Sequence, residues 1–85
     1  MKNIHYNEEK RIRVLAERGI DLHVVAYIIN HIGLVDKMPN PTRKGQMVYV
    51  ILYQGYHCAV PVIENDTNVF IKTAYFSRKL KKFYS

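Results

Sequence analysis

Lys72, Arg78, Lys79, Lys81 and Lys82 form the densest run of positive charge in the chain, with no carboxylate from Lys72 onward. Side chains of these types hold phosphate: arginine as a planar fork that bridges two oxygens, lysine as a mobile point charge. Arg43 and Lys44 add a basic pair earlier in the sequence. His57 is the one histidine in the β-rich middle of the chain, and its titration range suits acid–base work. Tyr84 can orient a phosphate or stack against a base. Each of these has a plainer alternative. Arg78 can be a solvated arginine at a helix start, Lys72 an edge-strand lysine that discourages aggregation, and His57 a half-buried sheet histidine. Tyr84 can pack on the sheet, and Arg43 and Lys44 can be exposed loop charge.

Other chemistries are excluded or lack their residues. His5, His23 and His31 show no ligand spacing and Cys58 is the single cysteine, so no metal site or cofactor is expected. The lone cysteine also excludes an internal disulfide framework and suits a reducing compartment. No carboxylate pair, glycine-rich phosphate loop or Ser/His/Asp set is visible. Eighty-five residues allow one domain, residues 1–85, because two would each fall near the ~40-residue limit for unaided folding. The net charge is +6, and it is lopsided: residues 42–85 carry seven basic and two acidic groups. Such a field points to a polyanionic partner, either nucleic acid or an acidic protein. A membrane is not expected, since no apolar run approaches ~18 residues and no signal peptide opens the chain. A cytoplasmic location follows.

The elements that must position these groups can be read in order. Asn7 is placed to cap a helix over Glu8–Arg18, with Gly19 behind it and an expected buried stripe of Ile12, Leu15 and Ala16. Asp21 caps a second helix to about Asn30, expected to be mostly buried, with Ile20 and Val25 spaced for a hydrophobic staple. Leu34 to Met38 reads as a short strand ended by Pro39 and Pro41, and Thr42 to Gly45 as a basic loop. Met47–Tyr53 and Tyr56–Ile63 form a hairpin about Gln54-Gly55, and Val69–Tyr75 a third meander strand. Ser77 caps a basic helix from Arg78 to about Tyr84. The expected fold is α+β: two N-terminal helices on an antiparallel β-meander of three to four strands, with a short basic C-terminal helix. Strand parity puts Tyr49, Ile51, Cys58, Val60 and Val62 on one face, and His57 and Lys72 on the other.

Asn40-Pro41-x-Arg43, Gln46, Gly55-Tyr56, Val60-Pro61, Lys72-Thr73 and Ser77-Arg78-Lys79 come in an order and spacing that resembles the BrnT-like toxins of bacterial toxin–antitoxin operons. Tyr6-Asn7-Glu8-Glu9-Lys10 and Arg18-Gly19-Ile20-Asp21 are similar to that group's opening. The resemblance covers most of the chain. It implies a RelE-like ribonuclease fold, cleavage of cellular RNA without a metal, and a neutralising antitoxin, a small DNA-binding protein encoded alongside. Such cleavage needs a base for the 2′-OH, a cation for the phosphorane and an acid for the 5′ oxygen. Arg78, Lys72 and His57 are the catalytic candidates; Arg43, Lys44, Lys79, Lys81, Lys82 and Tyr84 are the RNA-binding ones. The alternatives are a non-catalytic basic module that binds nucleic acid or an acidic protein, and a toxin-like fold that has lost catalysis.

Overall fold

The computed structural model describes residues 2–78. Strand β1 (Asn3–His5) comes first, followed by helix α1 (Glu8–Arg18) and helix α2 (Leu22–Tyr27), which continues as a π-helical segment over Ile28–Ile32. Strands β2 (Asp36–Pro39), β3 (Met47–Tyr53), β4 (Tyr56–Glu64), β5 (Asn68–Ile71) and β6 (Tyr75–Phe76) complete one six-stranded sheet. Its order is β1-β5-β4-β3-β2, with β6 also paired to β4.

The expected architecture is therefore corrected. The sheet has six strands where three to four were expected, and it is mixed, because β1 lies parallel to β5 with Asn3 opposite Asn68 and His5 opposite Phe70. A three-residue strand is too short for alternation to show, and its partner lies far away in sequence. The RelE-like arrangement of two leading helices on a small meander does not hold, since a strand precedes both helices. The C-terminal helix expected over residues 78–84 lies outside the described residues, apart from Arg78.

Local chemistry explains the helix ends. The Asn7 side chain accepts from the Lys10 amide at 3.0 Å, and Gly19 turns left-handed (φ 69°) so that its N–H closes on the Leu15 carbonyl. The Asp21 side chain accepts from the His23 amide at 2.9 Å, and the Asp21 N–H donates to the Tyr53 hydroxyl at 3.0 Å, which docks α2 onto the hairpin end. Ile20 and Val25 are fully buried, as a staple requires.

Which helix faces are buried differs from the sequence pattern. In α1 the buried residue is Val14, while Ile12 is 57% exposed and Leu15 and Ala16 are exposed too. The reason is polar anchoring three residues before and four after Val14: Arg11 pairs with Asp21, and Arg18 reaches Thr73. These arginines turn the Val14 face inward. In α2 only Leu22, Val25 and Ile28 are buried, and Tyr27 and Ile32 are 58% and 72% exposed. This helix lies on a sheet with one side only. Among the described residues no helix is long and apolar enough to cross a membrane.

The β3–β4 hairpin forms where the sequence places it. Gln54 (φ 52°) and Gly55 (φ 81°) both take positive φ, the requirement of a type I′ turn, so glutamine substitutes for the commoner asparagine. Tyr53 stands opposite Tyr56, and Tyr49, Ile51, Cys58, Val60 and Val62 all enter the core under the helices. The opposite face carries buried Val50, Ala59 and Pro61, half-buried His57 and exposed Leu52.

At the far end of β4, Glu64 gathers Lys37 (2.6 Å), Lys2 (3.2 Å) and the Tyr49 hydroxyl, tying the start of the chain to β2, β3 and β4. Burial acts to raise the Glu64 pKa, but the hydrogen bonds from Lys37, Tyr49 and Lys2 outweigh it and hold the carboxyl at about 2. Burial and the neighbouring carboxylate push the Tyr49 phenol upward. Because folding lowers the Glu64 pKa from 4.5, its contribution is complete above about pH 4.5 and is lost as the pH falls through about 2. Glu64→Gln keeps an acceptor for Tyr49 and removes the charge. In urea unfolding the variant should be less stable than wild type near neutral pH. The gap should narrow below about pH 4.5 and nearly vanish near pH 2; a gap unchanged across that range would refute this account.

Candidate functional site

Where β5 ends, the chain stays beside β4 but slips by one residue. Ile71 pairs with Val62 and Tyr75 with Ala59, so Lys72, Thr73 and Ala74 stand against only Val60 and Pro61. This is a β-bulge, the device that re-aims side chains within a paired strand. The Lys72 amide donates to the Pro61 carbonyl at 2.9 Å, and Ala74 is fully buried. From α1, one Arg18 nitrogen donates to the Thr73 hydroxyl (2.9 Å) and to the Ala74 carbonyl (3.0 Å), so the bulge is held from outside the sheet.

Opposite it is the β2–β3 loop, closed by the Asn40 amide donating to the Gln46 carbonyl (2.9 Å) and the Gln46 amide to the Arg43 carbonyl (3.2 Å). The Asn40 side-chain oxygen accepts from the Thr42 amide at 3.1 Å and the Thr42 hydroxyl at 3.0 Å, a turn that fixes the loop ahead of Arg43. Between loop and bulge lies a cleft of about 370 Å³. Asn40, Thr42, Arg43 and Gln46 form one wall, and Pro61, Lys72, Thr73 and Tyr75 the other.

Two of the expected site residues, Arg43 and Lys72, thus meet in one cleft. Lys44 is exposed in the same loop and does not line it. His57 shares a sheet face with Pro61 but lies four residues along β4, about 13 Å at ~3.3 Å per residue, so it stands outside the cleft. Its carbonyl accepts from the Ser77 amide at 3.4 Å, which brings exposed Arg78 to the His57 end of the sheet, with Tyr75 between the two groups. Lys79, Lys81, Lys82 and Tyr84 lie outside the described residues.

The electrostatics favour an anion. Glu8 and Asp21 are engaged with Arg11, and Glu64 with Lys2 and Lys37. Among the described residues neither Arg43 nor Lys72 has a carboxylate within ion-pair distance, so their charge is available to a ligand. Also among the described residues, no three His, Cys, Asp or Glu side chains cluster as a metal ion would need. Cys58 is buried and its thiol is pushed up to about 12 by that burial, so it stays protonated and acts as a small apolar side chain.

Sequence reasoning missed Arg18 and Tyr75 as members of this region, and Lys10 and Arg13 of α1, which line an adjoining recess with Lys72. Arg18 reads in sequence as a basic last turn complementing the helix dipole, and only the fold shows its reach to Thr73. Lys10 and Arg13, three residues apart on α1, carried the available signal as a same-face basic pair. Comparison of the chain with protein-family models, curated proteins and solved structures gave no match.

Removing the external clamp should loosen the bulge alone. In Arg18→Ala the Lys72 amide, bonded to Pro61, should exchange with deuterium markedly faster than in wild type. Amides at the centre of β3 and β4 should be unaffected. Unchanged exchange at Lys72 would show that the sheet holds the bulge without Arg18.

Proposed function

We propose that this chain is the toxin of a toxin–antitoxin pair, a metal-independent endoribonuclease acting on cellular RNA in the cytoplasm. One observation carries the reading. Asn40, Arg43, Gln46, Pro61, Lys72 and Thr73, scattered over more than thirty residues and all part of the toxin resemblance, line a single cleft whose two cations have no carboxylate partner among the described residues.

In this reading Arg43 and Lys72 hold a backbone phosphate, with the side-chain amides of Asn40 and Gln46 beside them, and Tyr75 offers a ring face to a base. The reacting phosphate lies further along β4, against Arg78. As the 2′ oxygen attacks phosphorus and the 5′ oxygen leaves, charge grows on the non-bridging oxygens, and the Arg78 fork binds it more tightly than in the ground state. His57 takes the proton from the 2′-OH as the 2′ oxygen bonds to phosphorus, and water protonates the departing 5′ oxygen. The antitoxin covers this basic surface and so blocks the substrate.

A second reading, a binding module without catalysis, is favoured by one fact: among the described residues the cleft is lined by no histidine or carboxylate to move a proton. Single-turnover cleavage of a labelled RNA separates the two. Arg78→Ala should slow cleavage by roughly 10²–10³, the range for loss of one oxyanion donor, with Arg78→Lys restoring part of it. Lys72→Ala should chiefly weaken binding, and excess EDTA should change nothing. Folded Arg78→Ala cleaving at the wild-type rate would remove Arg78 from the site. Wild type that binds RNA and never cleaves it would establish the binding module.

A further inference from the structure

Lys72 has two neighbours. On one side is the cleft with Arg43; on the other is a second recess of about 340 Å³ between β5 and the first turns of α1, lined by Asn7, Glu9, Lys10, Arg13, Ile71 and Lys72. Among the described residues the two recesses share Lys72 alone. Like Lys72, Lys10 and Arg13 have no carboxylate within ion-pair distance among the described residues, although α1 carries Glu8, Glu9 and Glu17. Glu8 is turned away to Arg11, at 2.5 Å. The Asn7 side chain is spent on the Lys10 amide, so the groups free to meet a ligand in this recess are the three cations and Glu9.

We infer that the RNA strand does not end at the cleft but runs over Lys72 into this second recess, where Lys10 and Arg13 hold the next backbone phosphate. The inference rests on the reading of the cleft as an RNA site. An ammonium group has three donors on a flexible stem, so one lysine between two recesses can serve phosphates on either side. A single small anion would leave one recess empty; a phosphodiester chain presents charges at regular intervals and fills both. The ligand is thus an extended single strand at least two phosphates long. Glu9 opposes it by repulsion and limits affinity at this end.

The test is a salt series of binding to a labelled, uncleavable 2′-O-methyl oligoribonucleotide of about eight nucleotides, with a dinucleotide as the short probe. Wild type is compared with the Lys10→Gln/Arg13→Gln double variant and with Glu9→Gln; Lys10 and Arg13 are not buried, and folding is checked by circular dichroism. Each phosphate contact on a single strand contributes about 0.7 to the log–log salt slope, so the double variant, which loses the one phosphate held in the recess, should lose about 0.7. That corresponds to binding roughly fourfold weaker at about 0.15 M salt. Glu9→Gln should tighten binding, and the dinucleotide, held in the cleft alone, should bind all three proteins equally. An unchanged slope in the double variant, with wild type binding the long probe, would overturn the second recess and leave the cleft standing. Displacement of the long probe by poly-glutamate as readily as by unlabelled RNA would assign the recess to an acidic protein instead and overturn it as well. Failure of folded wild type to bind either probe would remove the RNA reading of the cleft, and this extension with it.

Discussion

The one-residue slip between β5 and β6 is the constraint on which the candidate site depends. Had the strand continued in register, Tyr75 would fall on the face of Ile71, toward the helices. The extra residue instead gives Ala74 to the core and Tyr75 to the cleft, with Phe76 turned back against Tyr53 and Tyr56. One inserted position therefore serves packing and the surface at once. A bulge leaves backbone groups without ladder partners, and the Ala74 carbonyl finds one in Arg18. The end of α1 and the site are coupled through that guanidinium.

What the sequence could reveal follows the range of the interactions. Caps and turns are local, and Asn7, Gly19, Asp21 and Gln54-Gly55 act where their types predict. The hairpin register was legible for the same reason, since a two-residue turn sets it and period-2 alternation confirms it. Pairings between distant segments were not legible. β1 has three residues and no pattern, and nothing in Val69 to Tyr75 announces that a strand breaks step after Ile71. The misjudged face of α1 has a related cause. Ile12, Leu15 and Ala16 make a good apolar stripe, but the long-range hold of Arg18 on Thr73 and of Arg11 on Asp21 selects the Val14 face instead.

The site itself was half legible. Lys72 was a catalytic candidate and Arg43 an RNA-binding one, and the fold brings the two to one cleft. His57 and Lys72 were placed on one face by parity, which says nothing of distance along the strand, and there the two part company. The cations of α1 escaped notice because charge was counted along the chain, whereas the field of a folded protein is summed over space. The carboxylates divide in the same spatial sense. Glu64 and Asp21 neutralise lysines and arginine elsewhere, and the strip from Arg13 through Lys72 to Arg43 has no ion-pair partner among the described residues.

The parallel pairing of β1 with β5 has a consequence for the order in which the molecule comes into being. The hairpin of β3 and β4 closes over two residues and can form as soon as it is synthesised, whereas β1 must wait for residues 68–70. Until then α1 and α2 have an incomplete surface to rest on. Lys72 and the bulge follow directly on those residues, so the stretch that locks β1 into the sheet also brings Lys72 to the cleft. The segment that closes the sheet over β1 is therefore also the one that completes the cleft, and neither forms before residues 68–75 are in place.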